Sequence, residues 1–287
     1  MRVTVADALR WATAQLAPAS DTARLDAELI MAHALGVSRS ELLLRHMQDN
    51  GPDQFDALVE RRAQHEPVAY ILGHKEFYGR EFVVAPGVLI PRMDSETTVA
   101  AALEACPKPR RVLDCGVGSG ALLFTVLAET GAREGVGIDR STDALMIAAL
   151  NANLHVDGSF GQLLLLDWRE AGWTDGLGQF DLILANPPYV EEDAPIAPDV
   201  RDWEPSEALF AGPEGLDDYR ILIPQLPKLL TESGVAVLEI GATQAEQVSE
   251  IAVRSGFTTE LRRDLAERPR ALVLRSRSSS AQRGSGK

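Results

Sequence analysis

Cysteine is nearly missing from this chain: Cys106 and Cys115 are the only two among 287 residues. Two thiols make no disulfide framework. The five histidines, at positions 33, 46, 65, 74 and 155, are scattered. None stands at ligand spacing from a cysteine or a carboxylate, so no metal site is expected. Lysine is scarce too, with four residues in a chain of net charge -14. A protein that grips duplex DNA or long RNA needs a basic face to neutralise phosphates, so direct nucleic-acid binding is not expected. No apolar run reaches membrane-spanning length. The stretch from Met1 to Trp11 lacks the basic-then-apolar order of a signal peptide. These absences point to a cytoplasmic protein with no membrane partner.

What is present is ordinary for a globular protein: 45% hydrophobic and 24% charged residues. The length fits one domain of common size plus a smaller one. Residues 1 to 74 read as helices. Leu25, Leu29, Ala32 and Leu35 recur at helical spacing, as do Leu42, Leu43 and His46. Gly36 reads as a stop, and Ser38 or Ser40 as the next cap. Asn50-Gly51-Pro52 is a break, with a further helix expected from Asp53 to Gln64. Glu76 to Ile90 then has strand and turn chemistry, with Phe77, Tyr78, Phe82, Val83 and Val84 around Gly79, and predicts a hairpin.

From Arg111 onward, short apolar runs alternate with helical stretches. Strands are expected at Arg111–Asp114, Gly135–Asp139, Gln162–Leu166, Phe180–Ala185 and Val235–Ile240, and Ala271–Leu274 is expected to add an edge strand. Helices are expected over Ala121–Glu129, Asp143–Asn153 and Thr243–Ser255. This alternation implies a doubly wound, mainly parallel α/β sheet. Ser276 to Lys287 is rich in Ser, Arg and Gly and reads as a disordered tail. There is no internal repeat.

Gly116-Val117-Gly118-Ser119-Gly120 ends one strand and opens a helix. Without β-carbons the backbone can turn tightly and approach a ligand, and the helix start offers unpaired N–H groups. The loop also fits the dinucleotide pattern G-x-G-x-x-G/A, so alone it does not separate a nicotinamide enzyme from a methyltransferase. Asp139 ends the following strand, where a carboxylate can accept from both ribose hydroxyls of a nucleoside. A helix N-cap is the other reading of Asp139, since Ser141-Thr142-Asp143 follows.

Phe180 to Ala185 is an apolar run ending in Asn186-Pro187-Pro188-Tyr189. Ligands of open α/β sheets bind at such carboxyl ends. Two prolines remove two N–H donors and leave carbonyls free to face a pocket. A planar NH2 group has a delocalised lone pair and is a poor nucleophile. Acceptors for each N–H, from the Asn186 side chain and the Pro187 carbonyl, hold the nitrogen and strengthen as it becomes cationic. Tyr189 can lie over the target group near a sulfonium charge. No base is required, and Glu191, Glu192 and Asp193 read as a solvated face. The plainer alternative is a strand-ending turn, because Asn-Pro commonly opens one.

With those motifs in view, the chain resembles the HemK/PrmC family, which methylates the glutamine of the Gly-Gly-Gln motif in peptide chain release factors. The likeness spans nearly the whole chain. Leu25-Asp26-Ala27-Glu28-Leu29 through Leu42-Leu43-Leu44-Arg45 is similar to the family's helical domain. Glu66-Pro67-Val68-Ala69-Tyr70-Ile71-Leu72-Gly73 and Glu76-Phe77-Tyr78-Gly79 are similar to its connector, and Asp202-Trp203-Glu204-Pro205 to its segment after the Asn-Pro-Pro-Tyr corner.

The resemblance implies a Rossmann-like class I methyltransferase with a small N-terminal helical domain joined by a β-hairpin. Residues 1–74 would recognise substrate, 75–93 connect, 94–276 carry the transfer and 277–287 form the tail. It implies S-adenosyl-L-methionine as cofactor, with S-adenosyl-L-homocysteine as product, and a release factor as protein partner; a monomer is expected. Gly116, Val117, Gly118, Ser119 and Gly120 would meet the methionine part, Asp139 the ribose, and Asp167 and Trp168 the adenine. Core packing is an equal reading of Trp168. Asn186, Pro187, Pro188 and Tyr189 would hold the glutamine.

Three departures stand out. Pro91-Arg92-Met93-Asp94-Ser95-Glu96 replaces the family's Pro-Arg-Pro-Asp/Glu-Thr-Glu, keeping a hydroxyl and Glu96 for a pocket role or for a helix start. Cys115 enters the glycine loop, where it reads as a small buried residue. Glu267-Arg268-Pro269-Arg270 replaces Gly-Arg-Asp-Arg in the last hairpin. The rival readings are a glutamine of a ribosomal protein, an exocyclic amine of a DNA or RNA base, which needs base flipping and a basic, aromatic surface, and a cofactor-binding domain without turnover.

Overall fold

Leucine- and valine-rich runs alternating with helices bury both their faces only in a parallel sheet covered on each side. The computed structural model, which describes residues 3–156 and 160–277, has this arrangement. Strands β1 (His74–Phe77) and β2 (Arg80–Val83) form a hairpin. Its turn residues Tyr78 and Gly79 both have positive φ, 52° and 71°, as a tight hairpin turn requires.

The main sheet contains β3 (Arg111–Cys115), β4 (Glu134–Asp139), β5 (Phe160–Leu165), β6 (Phe180–Ala185), β7 (Leu230–Glu239), β8 (Phe257–Arg263) and β9 (Pro269–Ser276). Their order is β5-β4-β3-β6-β7-β9-β8. The first five pair in parallel, and β9 runs antiparallel to both its neighbours. Because successive side chains alternate in direction, Leu182 and Leu184 of β6 enter one core and Ile183 and Ala185 the other.

Two expectations for the sheet are corrected. The run Ala271–Leu274 is not an edge: β9 is an interior strand, and β8 lies outside it. Of the seven residues of β8 only Phe257 is fully covered, so its sequence carries little apolar signal. β7 also begins at Leu230 rather than Val235, and its pairing with β6 shifts register between Phe180 and Leu182. The turn-like Thr231-Glu232-Ser233-Gly234 fills that irregularity. The expected tail begins too early: Ser276 ends β9 and the Arg277 N–H donates to the Gly256 carbonyl, while the rest of the tail lies outside the described residues.

A helical unit comprises residues 1–75 together with 84–86 and 196–204. Its helices include Val5–Leu16, Ala23–Leu35, Phe55–Ala63 and Val68–Leu72. Gly36 ends the second in the left-handed conformation, φ 68°. Ser38 caps the turn Arg39–Glu41 by accepting from the Glu41 N–H at 3.1 Å. Leu42–His46 then forms a π-helical turn.

The buried apolar residues of Ala23–Leu35 are Ala23, Ala27, Ile30, Met31 and Ala32, with Leu35 packed against them; of the expected Leu25-Leu29-Ala32-Leu35 stripe, Ala32 and Leu35 meet the core and Leu25 is exposed. Asp26 and Glu28 are buried, Asp26 against Arg62 at 2.7 Å and Glu28 against Arg24 and Arg39. Their pairing lets two acids share the buried side of this helix with its apolar residues. Trp203 and Asp199 belong to the same unit. The Trp203 indole donates to the Gln64 carbonyl at 3.3 Å, and Asp199 lies 3.8 Å from Arg62.

Candidate active site

The chain runs from β3 outward through β4 to β5, then returns to β6 on the other side of β3. This switch point opens a crevice at the carboxyl ends of the strands. Register brings the site residues to one level. Cys115 pairs with Ile138 on one side and with Ala185 on the other, and Asp139 pairs with Leu165. Gly116, Asp139 and Asn186 therefore leave adjacent strands side by side. The cleft there, open to solvent, encloses about 1000 Å³ of space free of protein atoms.

Gly116, Val117, Gly118, Ser119, Asp139, Asp167, Trp168, Asn186 and Pro188 all line this cleft. Gly120, Pro187 and Tyr189 are not among its lining residues. Gly120 serves the loop instead. Its φ is 84°, and a β-carbon there would fall 2.0 Å from the Phe124 ring.

The loop is braced from β4. The Gly116 and Val117 N–H groups both donate to the Ile138 carbonyl at 2.9 Å. The Gly118 N–H donates to Asp139 Oδ2, and the Ser141 N–H to Asp139 Oδ1, each at 2.9 Å. Ser141, not Asp139, caps the helix Thr142–His155, accepting from the Ala144 N–H. Asp139 thus organises the loop and keeps lone pairs for donors in the cleft. Burial raises its pKa, opposed by the Ser141 and Gly118 N–H groups.

Asp114 is a site residue that sequence reasoning passed over, because it sits inside a strand that looked wholly structural. It lines the cleft, is 1% exposed, and neither carboxylate oxygen has a hydrogen-bond partner of normal geometry. Only the Leu123 N–H lends it support. Burial, then the charge of Asp139, pushes its pKa well above the ordinary value. An orphaned carboxyl on the cleft floor is a vacant acceptor for a ligand cation. Cys115 beside it is fully buried, and burial raises its thiol pKa well above the usual value.

Trp168 lines the cleft and is also packed into the core. Its indole N–H donates to Asp218 at 2.9 Å, and its ring edge lies over Gly116. Asp218, also in the cleft wall, is fully buried and held by Arg169 at 2.8 Å. Asp167 lines the cleft, and its Oδ1 accepts from the Arg169 N–H. Val88, Leu89, Ile90 and Pro91 supply an apolar wall.

The Asn186 corner is clamped on its far side. Gln244 donates to the Tyr189 carbonyl at 3.0 Å, and Val190 bonds Leu209 and Ala211 through its N–H and carbonyl. The Tyr189 hydroxyl donates to Glu239 at 3.3 Å. In the Pro91–Glu96 segment, Ser95 faces the cleft but Glu96 does not. The Glu96 carboxylate accepts from the Tyr78 N–H at 2.9 Å, which corrects the pocket role expected for it.

Known proteins share this sequence and this fold. The PrmC N-terminal domain matches residues 7–73, and the methyltransferase small domain matches residues 81–199. The chain is 38% identical over 262 residues to a release factor glutamine methyltransferase of Geobacter sulfurreducens, covering 88% of this chain and 90% of the relative. A protein of the same name from Caulobacter vibrioides is 38% identical over 264 residues, covering 88% and 89%. The chain belongs to the release factor glutamine methyltransferase family. Among solved structures, a methyltransferase from Pyrococcus furiosus superposes with a TM-score of 0.50 at 13% identity, over 69% of this chain and 89% of that one, a likeness of fold. Membership in the release factor glutamine methyltransferase family makes the cleft the place to seek methyl transfer. Asp114 and Asp218 join the residues that deserve testing there.

Proposed function

We propose that this chain transfers a methyl group from S-adenosyl-L-methionine to the N5 amide nitrogen of the glutamine in the Gly-Gly-Gln motif of a peptide chain release factor. One observation carries the reading: Asn186, Asp139 and the unpartnered Asp114 open from three adjacent strands onto a single cleft at the switch point. The names of the relatives, which state a release factor glutamine as target, support the substrate.

The residues fit the cofactor, which when bound supplies an electrophilic methyl group on a sulfonium sulfur. Asp114 would accept from its ammonium group beside the Gly116–Ser119 loop. Asp139 would accept from the ribose hydroxyls, and Asp167 from the adenine amine next to the Trp168 ring. At the corner, Asn186 Oδ1 and the Pro187 carbonyl would accept the two amide N–H groups. Those bonds strengthen as the nitrogen gains positive charge, which favours the transition state over the ground state. Holding the amide in line accounts for most of the rate, since positioning can supply about 7–11 kcal/mol. The methylated nitrogen is strongly acidic and sheds its proton to water. Glu191, Glu192 and Asp193 are exposed and take no part as bases. In this reading residues 1–74 recognise the release factor, 75–93 connect, and 94–276 carry the transfer.

The deciding experiment is mass spectrometry of a release factor after incubation with the protein and S-adenosyl-L-methionine. One added methyl on the Gly-Gly-Gln glutamine is expected. Methyl label found instead on a ribosomal protein or on nucleic acid, with none on the release factor, would overturn the reading.

A further inference from the structure

A further carboxylate lies at the level of the site and has no part in the chemistry above. Glu239 ends β7, one residue beyond Leu238, which pairs with Ala185. It therefore stands beside Asn186 on the neighbouring strand. Its side chain is wholly buried, an arrangement that costs several kcal/mol unless partners compensate. The partners come from three directions. Oε1 accepts from the Tyr189 hydroxyl at 3.3 Å, and Oε2 from the Thr98 hydroxyl at 3.4 Å. The Ser95 hydroxyl also donates to the carboxylate, and Ser95 lines the cleft.

Behind these, Arg270 faces Glu239 and is tied to Asp94 at 2.7 Å, with Asp264 at 3.7 Å. Arg268 joins the same two aspartates. The backbone is fixed as well: the Tyr219 hydroxyl donates to the Glu239 carbonyl at 2.7 Å, and the Ile240 N–H donates to the Arg270 carbonyl at 2.8 Å. Burial raises the pKa of Glu239, opposed by the Ser95 hydroxyl, the Arg270 charge and the Tyr189 hydroxyl. A packed apolar residue would fill this place at lower cost. An acceptor-only group is needed because three hydroxyls converge on it.

We propose that Glu239 is a positioning residue for methyl transfer: its carboxylate joins the Tyr189 hydroxyl, on the Asn186 corner, to the Ser95 hydroxyl, on the opposite cleft segment, and so fixes where the target amide is held. The proposal rests on the functional reading given above. Glu239 itself touches neither substrate nor reacting atoms.

The test uses the full-length protein with Glu239→Gln, Tyr189→Phe and the double variant. Methyl transfer to a release factor and S-adenosyl-L-homocysteine affinity by calorimetry are measured for each. Glutamine keeps the shape but places an NH2 where a hydroxyl needs an acceptor. Glu239→Gln should lower kcat by about tenfold or more, the scale of a lost hydrogen bond to a charged group. Affinity for S-adenosyl-L-homocysteine should hold within about twofold, the scatter of uncoupled sites. Tyr189→Phe, which leaves the carboxylate in place, should also lower kcat, and the double variant should be no worse than Glu239→Gln alone.

Unchanged kcat in either single variant, additive losses, or an equal loss of S-adenosyl-L-homocysteine affinity would overturn the proposal. Hydrogen exchange at the Tyr189 and Val190 amides provides a readout independent of turnover. Glu239→Gln should speed it, and unchanged exchange would also overturn the proposal. An inactive wild-type protein would instead sink the functional reading, while the exchange result would still decide the role of Glu239.

Discussion

At the residue scale, three side chains carry distinct and separable expectations. Asp139 would accept from ribose hydroxyls while bracing Gly118 and Ser141. Asp139→Ala should therefore weaken S-adenosyl-L-homocysteine binding by about tenfold or more, as hydrogen bonds to a charged group are worth ~1.5–3 kcal/mol. Calorimetry would check this, and unchanged affinity would remove Asp139 from the cofactor site. Asn186→Ala should instead cut kcat far more than it cuts that affinity; equal losses would mean that Asn186 serves the cofactor. Asp114 behaves differently because it is unpartnered. Burial raises its pKa in the folded protein. The folded state then holds a proton that the unfolded state releases, so this contribution to stability is complete below the ordinary carboxylate pKa. It is lost as pH rises through the higher folded value. Without cofactor, Asp114→Asn should raise Tm at neutral pH. Its advantage should shrink as pH falls toward the ordinary carboxylate range. Thermal melts across pH would show this, and an advantage independent of pH would contradict it.

At the element scale, the strand-ending motifs were legible because their chemistry is local. A glycine loop, an acid about twenty residues on at the next strand end and a double proline each announce themselves without knowledge of neighbours. The parallel sheet was legible for the same reason, since Leu113, Ile138 and Leu182 to Leu184 lie in short apolar runs. What escaped the sequence depends on partners brought from afar. β8 shows only Phe257 as a buried anchor, because its pairing with β9 rests mainly on backbone bonds. Asp26 and Glu28 look solvent-facing until Arg62, Arg24 and Arg39 are seen to meet them. Asp114 and Glu239 were hidden because an acid inside an apolar run has no local signature of the cleft or hydroxyls it will face. The departure at Glu267 shows the same dependence. Glu267 takes the left-handed conformation, φ 62°, where the resembling family has glycine, and Arg268 ties the hairpin to Asp264 and Asp94. The start of the helix Ala121–Thr130 offers a sharper test. Gly120 has φ 84°, and a β-carbon would lie 2.0 Å from Phe124. Gly120→Ala combines a strained backbone, ~1–2 kcal/mol, with overpacking, ~1–3 kcal/mol. Urea denaturation should show a loss of about 2 kcal/mol or more. A loss under about 0.5 kcal/mol, typical of innocuous surface changes, would mean that the loop relaxes freely.

At the scale of the whole molecule, the charge balance discriminates between a protein substrate and a nucleic acid. The net charge is -14 with four lysines, and many arginines are already committed. Arg24 and Arg39 hold Glu28, Arg61 holds Glu66, Arg111 holds Glu134, and Arg169 holds Asp218. An arginine that neutralises a carboxylate cannot release counterions from a phosphate backbone without breaking its own pair. Each phosphate contact adds about 0.9 to the slope of log affinity against log salt on duplex DNA. With these arginines committed and the net charge strongly negative, little salt-dependent affinity for a phosphate backbone is expected. Duplex DNA or transfer RNA added at low salt should leave methyl transfer to a release factor unchanged and should acquire no label. Inhibition that fades as salt is raised would reveal a phosphate-binding face. Label on a base amine would reinstate the rival target, because the Asn186 corner accepts any planar NH2 group and leaves the choice of substrate to the rest of the molecule.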